Sequence, residues 1–336
     1  MSAGSRPSVS LVLLTFNRWD RTARLLESIV DDADDYADVE LVWVDNGSAD
    51  GTRSGFETWL AAHEPMFHRV VRRFNDVNHG FIVGVNEGAS LATGEHVCLI
   101  NSDAVVTGGW RRGLLRALAG PGVAAAGPVS DGMPWNQSLD KRGRGIRPVP
   151  VVYGFCVLIT RAALDTVGLL DERYGRGVIE VEDWCERATR AGLRFAVNTD
   201  VFVSHDEPHA SYTPRVNGML HIRNRGLFER KWGVGPWYWG DRDRAARSFD
   251  TTVARVAGDG VFDEAALRAE LDTLDERTEL LVVAPHRDDE EHLSWLHTAR
   301  RDPRLNVVCV RPDWDERALE PLCAANARGA VTEVAR

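Results

Sequence analysis

Over the first hundred positions, short runs of Val, Leu and Ile alternate with stretches whose apolar residues recur at helical spacing. Residues 8–16 form such a run, broken by Thr15-Phe16-Asn17-Arg18, and Leu25, Leu26 and Ile29 then line one face of a helix. The pattern repeats. Residues 39–44 read as a strand, Asp45-Asn46-Gly47-Ser48-Ala49-Asp50-Gly51 as a turn, and the stretch through Leu60 as a helix; 68–74, 81–91 and 95–100 add strand, helix and strand. Alternation on this length scale predicts βαβ units and a parallel sheet covered on both faces.

Beyond residue 100 the order changes. Residues 110–119 read as a helix, 123–129 as a short strand and 151–160 as another apolar run. Between them, 130–150 is rich in Gly, Pro, Arg and Asn and predicts a mobile loop over the site. A helix over 182–191 ends at Gly192, a strand covers 194–203, and 216–232 forms a helix carrying Arg223, Arg225, Arg230 and Lys231, followed by an aromatic stretch through Trp239. Gly258 to Gly260 marks a boundary and 262–276 a charged connecting helix. From 279 onward strand, helix, strand and helix alternate again. The expected organisation is a main domain over 1–245, a connecting helical segment over 246–278 and a small α/β appendage over 279–336, with dimerisation as a role for the appendage.

Composition narrows the partners. The chain has 336 residues, 44% hydrophobic and 27% charged, enough to bury a sizeable core, and its formal net charge of -10 argues against a nucleic-acid partner. No apolar stretch approaches the roughly 20 residues that span a bilayer, and no charged-then-apolar leader opens the chain. That is the composition of a cytoplasmic protein; the basic helix and its aromatic trailer add a possible peripheral membrane contact. The five cysteines are scattered, never in CxxC spacing, and read as reduced core residues.

The most telling feature for chemistry is Asn101-Ser102-Asp103, which closes the apolar run over 95–100. A strand ending in a short acidic turn delivers a carboxylate to the crevice at the carboxyl edge of a parallel sheet, where open α/β folds bind ligands. Such a carboxylate can hold a hard divalent cation against a diphosphate. Gly80, Gly84 and Gly88 recur every fourth residue, which matches no phosphate-binding motif and reads as close helix packing.

Taken together, Thr15-Phe16-Asn17-Arg18, Val44 through Thr52, Asn78-His79-Gly80-Phe81 with Asn86, Asn101-Ser102-Asp103 and Glu180-Val181-Glu182-Asp183-Trp184-Cys185-Glu186-Arg187 resemble the family 2 glycosyltransferases. The resemblance covers roughly residues 8–233. It implies a GT-A fold, a Rossmann-like mixed and mostly parallel sheet flanked by helices, here with a small C-terminal α/β appendage. It implies that Asp45 reads the nucleotide base, with Thr15, Phe16 and Asn17 beside it, and that Asn78 and Asn86 help hold the nucleotide sugar. Asn101, Ser102 and Asp103 stand where many relatives carry Asp-x-Asp. With the first acid replaced by an amide, Asp103 becomes the indispensable acid for Mg²⁺ or Mn²⁺, His205 joins it as a metal ligand, and His209 is the fallback.

The same resemblance places the general base in the acidic segment. Aligned on Arg187 and Gly192, Asp183 takes the position of the second Asp and is the expected base, with Glu180 and Glu182 as rivals, because Val181 stands where relatives carry the first Asp. An acid-rich helix N-terminus explains the same charges without catalysis. The implied reaction is an inverting transfer from a nucleoside-diphosphate sugar to a small-molecule, glycan or lipid-linked acceptor. A sugar-nucleotide-binding protein without turnover and a nucleotidyltransferase are the alternatives. Pro285-His286-Arg287-Asp288-Asp289-Glu290 is similar to the Pro-His-Pro-Asp-Asp-Glu signature of zinc-dependent deacetylases, but Arg287 replaces the proline, and the segment reads as a strand end entering an acid-capped helix.

Overall fold

The computed structural model describes residues 8–32, 36–133, 135–205, 214–233, 235, 249–256, 264–286 and 304–335. They form two compact units, Met1–Ala163 with Leu193–Ser211, and Leu164–Gly192 with Tyr212–Arg336. Among the described residues no helix is long and apolar enough to cross a membrane.

In the first unit the chain runs β1 (Val9–Thr15), α1 (Trp19–Asp31), β2 (Val39–Asp45), α2 (Thr52–His63), β3 (Arg69–Phe74), α3 (Phe81–Leu91), β4 (His96–Asn101), β5 (Val105–Val106), α4 (Trp110–Leu118), β6 (Val123–Val129), β7 (Ile146–Val149) and β8 (Cys156–Thr160), and it contains β9 (Arg194–Ser204). These strands make one sheet in the order β3-β2-β1-β4-β8-β6-β9-β5, with β7 added along β9. The first four are mutually parallel, and β8 runs antiparallel to both β4 and β6. The parallel half follows the βαβ pattern, and the whole is the mixed, mostly parallel sheet flanked by helices that the family resemblance implies.

Burial explains the order. Every residue of β2 is buried, as a central strand demands, whereas β3 at the edge exposes three of its six. Helix α1 turns Thr22, Leu25, Leu26 and Ile29 inward, the 3.6-residue face seen in the sequence. Trp43 stacks on Phe56 at 3.8 Å between ring centroids, tying β2 to α2. Helix α3 lies directly on β1: a Cβ at Gly84 would meet Leu14 Cδ1 at 2.6 Å, and one at Gly88 would meet Val12 Cγ1 at 2.5 Å. The glycine spacing is therefore a packing device, as read from the sequence.

The segment over 130–150 departs from the expected mobile loop. It holds two 3-10 turns, Trp135–Gln137 and Leu139–Lys141, and β7, which pairs antiparallel with β9 from Ile146↔Asn198 to Val149↔Phe195. Its Gly and Pro content masked a short edge strand, whose stability comes from pairing with a distant partner.

The second unit contains α6 (Glu180–Arg190), α7 (Pro214–Trp232), β10 (Thr251–Val256), α8 (Glu264–Thr273), β11 (Thr278–Pro285), β12 (Leu305–Val310), α9 (Leu319–Asn326) and β13 (Ala330–Ala335); α5 (Arg161–Val167) spans the division between the units. Its four strands are all parallel, in the order β12-β11-β10-β13, over a core that includes Ala254, Leu281, Val283, Val308, Leu322 and Cys323. Strand β10 lies within the segment read as a connecting helix, and only α8 of that segment is helical. All five cysteines are free and buried.

One turn has a stringent backbone requirement. Gly47, after β2, sits at φ 81°, and a Cβ there would lie 2.8 Å from the Val77 carbonyl carbon. Gly47→Ala is expected to cost about 1–3 kcal/mol and lower the denaturation midpoint. Gly51→Ala, at φ -74° with nothing within 4 Å, should leave it unchanged.

Candidate functional site

Parallel register aligns the carboxyl ends of the first four strands. Thr15 pairs with Asp45, Asp45 with Phe74, and Leu14 with Asn101, so the sequence-predicted positions fall in one row along the sheet edge. The loops that leave this edge are laced together. Asn17 donates its backbone N–H to Ser48 Oγ at 2.8 Å, and its own Oδ1 accepts from Ala49 N at 2.8 Å. Asn17 and Arg18 hold left-handed backbone angles, φ 56° and 61°, which non-glycine residues adopt only where the surroundings impose them.

Asp45 is fully buried at the centre of the row. Its Oδ2 accepts from the Thr15 hydroxyl at 3.1 Å, and its Oδ1 from Ser48 N at 3.0 Å and Arg53 Nη2 at 2.9 Å. The Thr15 hydroxyl in turn accepts from Trp43 Nε1 at 3.0 Å. The Arg53 guanidinium lies 4.6 Å over the Phe74 ring. The exposed surface at this corner belongs to Phe16, Phe74 and the Arg53 side chain. Asp45 itself is enclosed, and the groups it leaves accessible are the arginine that it holds and the two aromatic rings.

Asn46, which sequence reasoning passed over, organises the next loop. Its Nδ2 donates to Asn78 Oδ1 and to Gly80 O, both at 3.0 Å, and its Oδ1 accepts from His79 N at 3.1 Å. Asn78 is exposed and Asn86 is buried within α3. Repetition of Asn and Gly across 46–80 was the available signal, but asparagine in turns is too common to single out one residue.

Asp103 and His205 come together at the end of β4 and β9. His205 Nε2 lies 3.2 Å from Asp103 Oδ1 and 3.2 Å from Asn101 Nδ2, and Arg21 Nη1 lies 3.9 Å from Asp103 Oδ2. Burial would raise the Asp103 pKa, but the hydrogen bond and charge of His205 prevail and hold the carboxyl below its ordinary range. Asp131 supports the histidine from behind, its Oδ1 accepting from His205 N at 2.8 Å and its Oδ2 from the Ser204 hydroxyl at 2.7 Å. The Phe155 ring packs 5.2 Å from the imidazole. An imidazole nitrogen and a carboxylate oxygen converging in this way fit Mn²⁺ or Mg²⁺. Among the described residues no group of three His, Cys, Asp or Glu side chains completes a metal site. The donor set therefore suits a cation that draws its other ligands from a bound diphosphate and water.

The acidic segment lies in the second unit, and its three candidates differ sharply. Asp183 is fully buried with both oxygens occupied: Arg187 Nε at 2.9 Å and Lys231 Nζ at 3.0 Å donate to Oδ2, and Trp232 Nε1 at 2.9 Å and the Tyr174 hydroxyl at 3.2 Å donate to Oδ1. Glu180 opens α6, and its Oε2 is buried with no hydrogen-bond partner among the described residues. Burial, then the charge of Glu182, pushes the Glu180 carboxyl up to about 8 from an ordinary 4.5. That corresponds to about 5 kcal/mol against the ionised form, several times what a helix N-terminus returns. Glu182, half-buried, is raised to about 7 by loss of hydration and by the charge of Asp183. Val178 and Ile179, just before Glu180, sit at φ 76° and 74°, a left-handed pair of β-branched residues.

His209, the aromatic stretch 236–239 and Arg287–Glu290 of the deacetylase-like motif lie outside the described residues. His286 is buried, with Nδ1 2.8 Å from Glu172 Oε1.

No curated protein sequence matches the chain. Solved structures share its fold. A mannosyltransferase from Pyrobaculum calidifontis, in complex with GDP-Man and Mn²⁺, is 23% identical with a TM-score of 0.51, over 62% of this chain and 59% of that one. GalNAc-T7 with UDP, GalNAc and Mn²⁺ is 14% identical with a TM-score of 0.52, over 66% and 49%. Residues 1–349 of S. aureus TarS, in complex with UDP-GlcNAc, are 14% identical with a TM-score of 0.52, over 72% and 70%. The chain thus spans about half to three fifths of the first two. Residues 10–170 match the model of glycosyl transferase family 2, and the mixed, mostly parallel sheet is similar to that of the GT-A glycosyltransferases.

Proposed function

We propose that the chain transfers a sugar from a nucleoside-diphosphate donor to an acceptor hydroxyl with inversion at the anomeric carbon, assisted by Mn²⁺ or Mg²⁺ at Asp103 and His205. The observation that carries this reading is the convergence of Asp103, His205 and Asn101 at the carboxyl end of the parallel strands. A bound divalent ion supplies positive charge opposite the departing diphosphate. Asp131 holds the His205 backbone and Phe155 packs on its imidazole, Thr15, Phe16, Asn17 and Asp45 form the base end with Arg53, and Asn78 and Asn86 serve the sugar end. Ser102 shapes the turn that carries Asp103.

The acceptor oxygen attacks the anomeric carbon as the bond to the diphosphate oxygen breaks. The electron pair leaves with the nucleoside diphosphate, and the hydroxyl proton passes to a carboxylate. We assign that carboxylate to Glu180, with Glu182 next to it in sequence as the alternative. Asp183, first in line from the sequence, would have to give up a lysine, an arginine, a tyrosine or a tryptophan to accept a proton. A carboxyl raised to about 8 is a stronger base when ionised than one at 4, which suits proton abstraction near neutral pH.

A lipid-linked acceptor finds support on α7. Its outward face exposes Met219 and Ile222 among Arg215, Arg223, Arg225 and Arg230, the mixture by which a helix settles on an anionic membrane surface from the cytoplasmic side.

Three outcomes are expected. In a thermal-shift panel of nucleoside diphosphates, the matching base raises the midpoint further when Mn²⁺ is added, and Asp103→Ala removes that increment and lowers transfer by roughly 100-fold or more; manganese dependence that survives the substitution sinks the metal assignment. For Glu180, the folded pKa lies above 4.5, so stability falls as pH rises from 4.5 to about 8, while kcat/KM rises toward about 8 as the base ionises. Glu180→Gln should flatten the first profile and abolish turnover without loss of nucleotide binding. Finally, co-sedimentation with anionic vesicles, absent with neutral ones, should weaken in a Met219→Ser/Ile222→Ser variant; equal recovery of both proteins would remove the membrane reading.

A further inference from the structure

The turn that leads into α6 is held in a conformation that its own residues disfavour. Gly175 and Gly177 have φ 77° and 112°, and Val178 and Ile179 follow at 76° and 74° before Glu180 begins the helix. Four of five consecutive residues thus lie at positive φ, and the last two are β-branched, the side chains least suited to it. No local hydrogen bond from the Ile179 side chain caps α6. Whatever maintains this path comes from elsewhere in the unit.

That support is Asn224, a fully buried residue midway along α7. Its Nδ2 lies 3.0 Å from Tyr174 O, 2.7 Å from Gly177 O and 2.8 Å from Val178 O. Three carbonyl oxygens converge on an amide nitrogen that carries two protons, so one bond is shared, and the donor side of the carboxamide must face the turn. Arg223 adds longer contacts to the same stretch, 3.3 Å to Arg173 O and 3.4 Å to Tyr174 O. Two turns further along, Lys231 and Trp232 hold Asp183. One helix therefore fixes both the strained entry to α6 and the charged residue in its first turn, and Glu180 lies between these two anchors.

We propose that Asn224 is a positioning residue: by pinning the carbonyls of residues 174, 177 and 178 it enforces the left-handed pair Val178–Ile179 and so sets where the Glu180 carboxylate points. The inference rests on the reading of Glu180 as the base. Without Asn224, Val178 and Ile179 relax toward the ordinary extended or helical regions, the first turn of α6 frays, and the Glu180 carboxyl gains water. The effect on catalysis is one of aim, since displacement of a reacting group by about an ångström lowers rate far more than binding.

Asn224→Ala is expected to lower kcat by roughly 10- to 100-fold while the donor KM and the thermal shift given by nucleoside diphosphate with Mn²⁺ stay within about twofold of the wild type. The acid limb of kcat/KM should move to lower pH as the Glu180 carboxyl is hydrated, a change that a mere loss of folded protein would not produce. Adding Ile179→Gly, which admits the left-handed geometry without the clamp, should return part of the lost kcat. Asn224→Ser, which keeps one donor, gives the same readouts if the alanine variant does not fold. A folded Asn224 variant with wild-type kcat and an unmoved acid limb overturns the inference, as does a loss of activity that follows the folded fraction alone. Glu180→Gln separates the two failures. If it keeps full turnover, the base assignment falls; if it is inactive while Asn224→Ala behaves as wild type, only the positioning role is lost.

Discussion

The parallel register of β3, β2, β1 and β4 is the constraint on which the row of residues at the carboxyl edge of the sheet depends. Because parallel strands leave the sheet at the same edge, pairing Thr15 with Asp45 and Asp45 with Phe74 brings three loop origins side by side, and pairing Leu14 with Asn101 adds a fourth. A shift of one residue in any pair would carry one of these positions out of the row, so the pairing that builds the sheet also sets which residues meet at its edge. Thr15 and Asp45 then do two things at once. They satisfy each other where the strands end, and they leave Arg53 stacked on Phe74 at the accessible corner. The buried carboxylate thus orients the exposed cation.

The metal pair follows a similar economy of protein ligands. Among the described residues one carboxylate and one imidazole meet, and the first acid position of the strand-end turn is Asn101, whose amide nitrogen lies 3.2 Å from the imidazole. A site with so few anionic ligands has weak affinity for a free cation and gains it when diphosphate oxygens complete the shell. Asp131 accepts from the His205 backbone N–H and so fixes that residue beside Asp103.

In the second unit the dominating feature is a buried charge cluster. Arg173, Arg187 and Lys231 face Asp171 and Asp183, all nearly or fully buried, with Tyr174 and Trp232 filling the remaining acceptor positions. Burial pulls the Lys231 pKa down although both carboxylates oppose this, while the two neighbouring cations keep Asp171 strongly acidic. Desolvation makes such clusters poor sources of net stability, but they tolerate few alternative arrangements. This one joins the 3-10 turn Glu172–Tyr174, α6 and α7 in a single geometry, and the strain at Val178 and Ile179 persists within it.

Strand and helix order through β4, the glycine face of α3 and the strand-end turn bearing Asp103 were all legible in the chain, because hydrophobic periodicity and turn chemistry are local properties of consecutive residues. Strands β5, β7, β10 and β13 were not legible, since their pairing energy resides in partners far along the chain. The roles within Glu180-Val181-Glu182-Asp183 were equally hidden. Adjacent acids in one helical turn look alike in sequence, yet Lys231 and Trp232, nearly fifty residues away, enclose one of them, while a neighbour keeps an oxygen with no hydrogen-bond partner among the described residues. The sequence by itself therefore determined the order of elements through β4 and the acids that stand at their ends; tertiary structure alone decided which carboxylate is held by cations and which is buried without them, because hydration and charge at a buried group are set by whatever side chains folding brings around it.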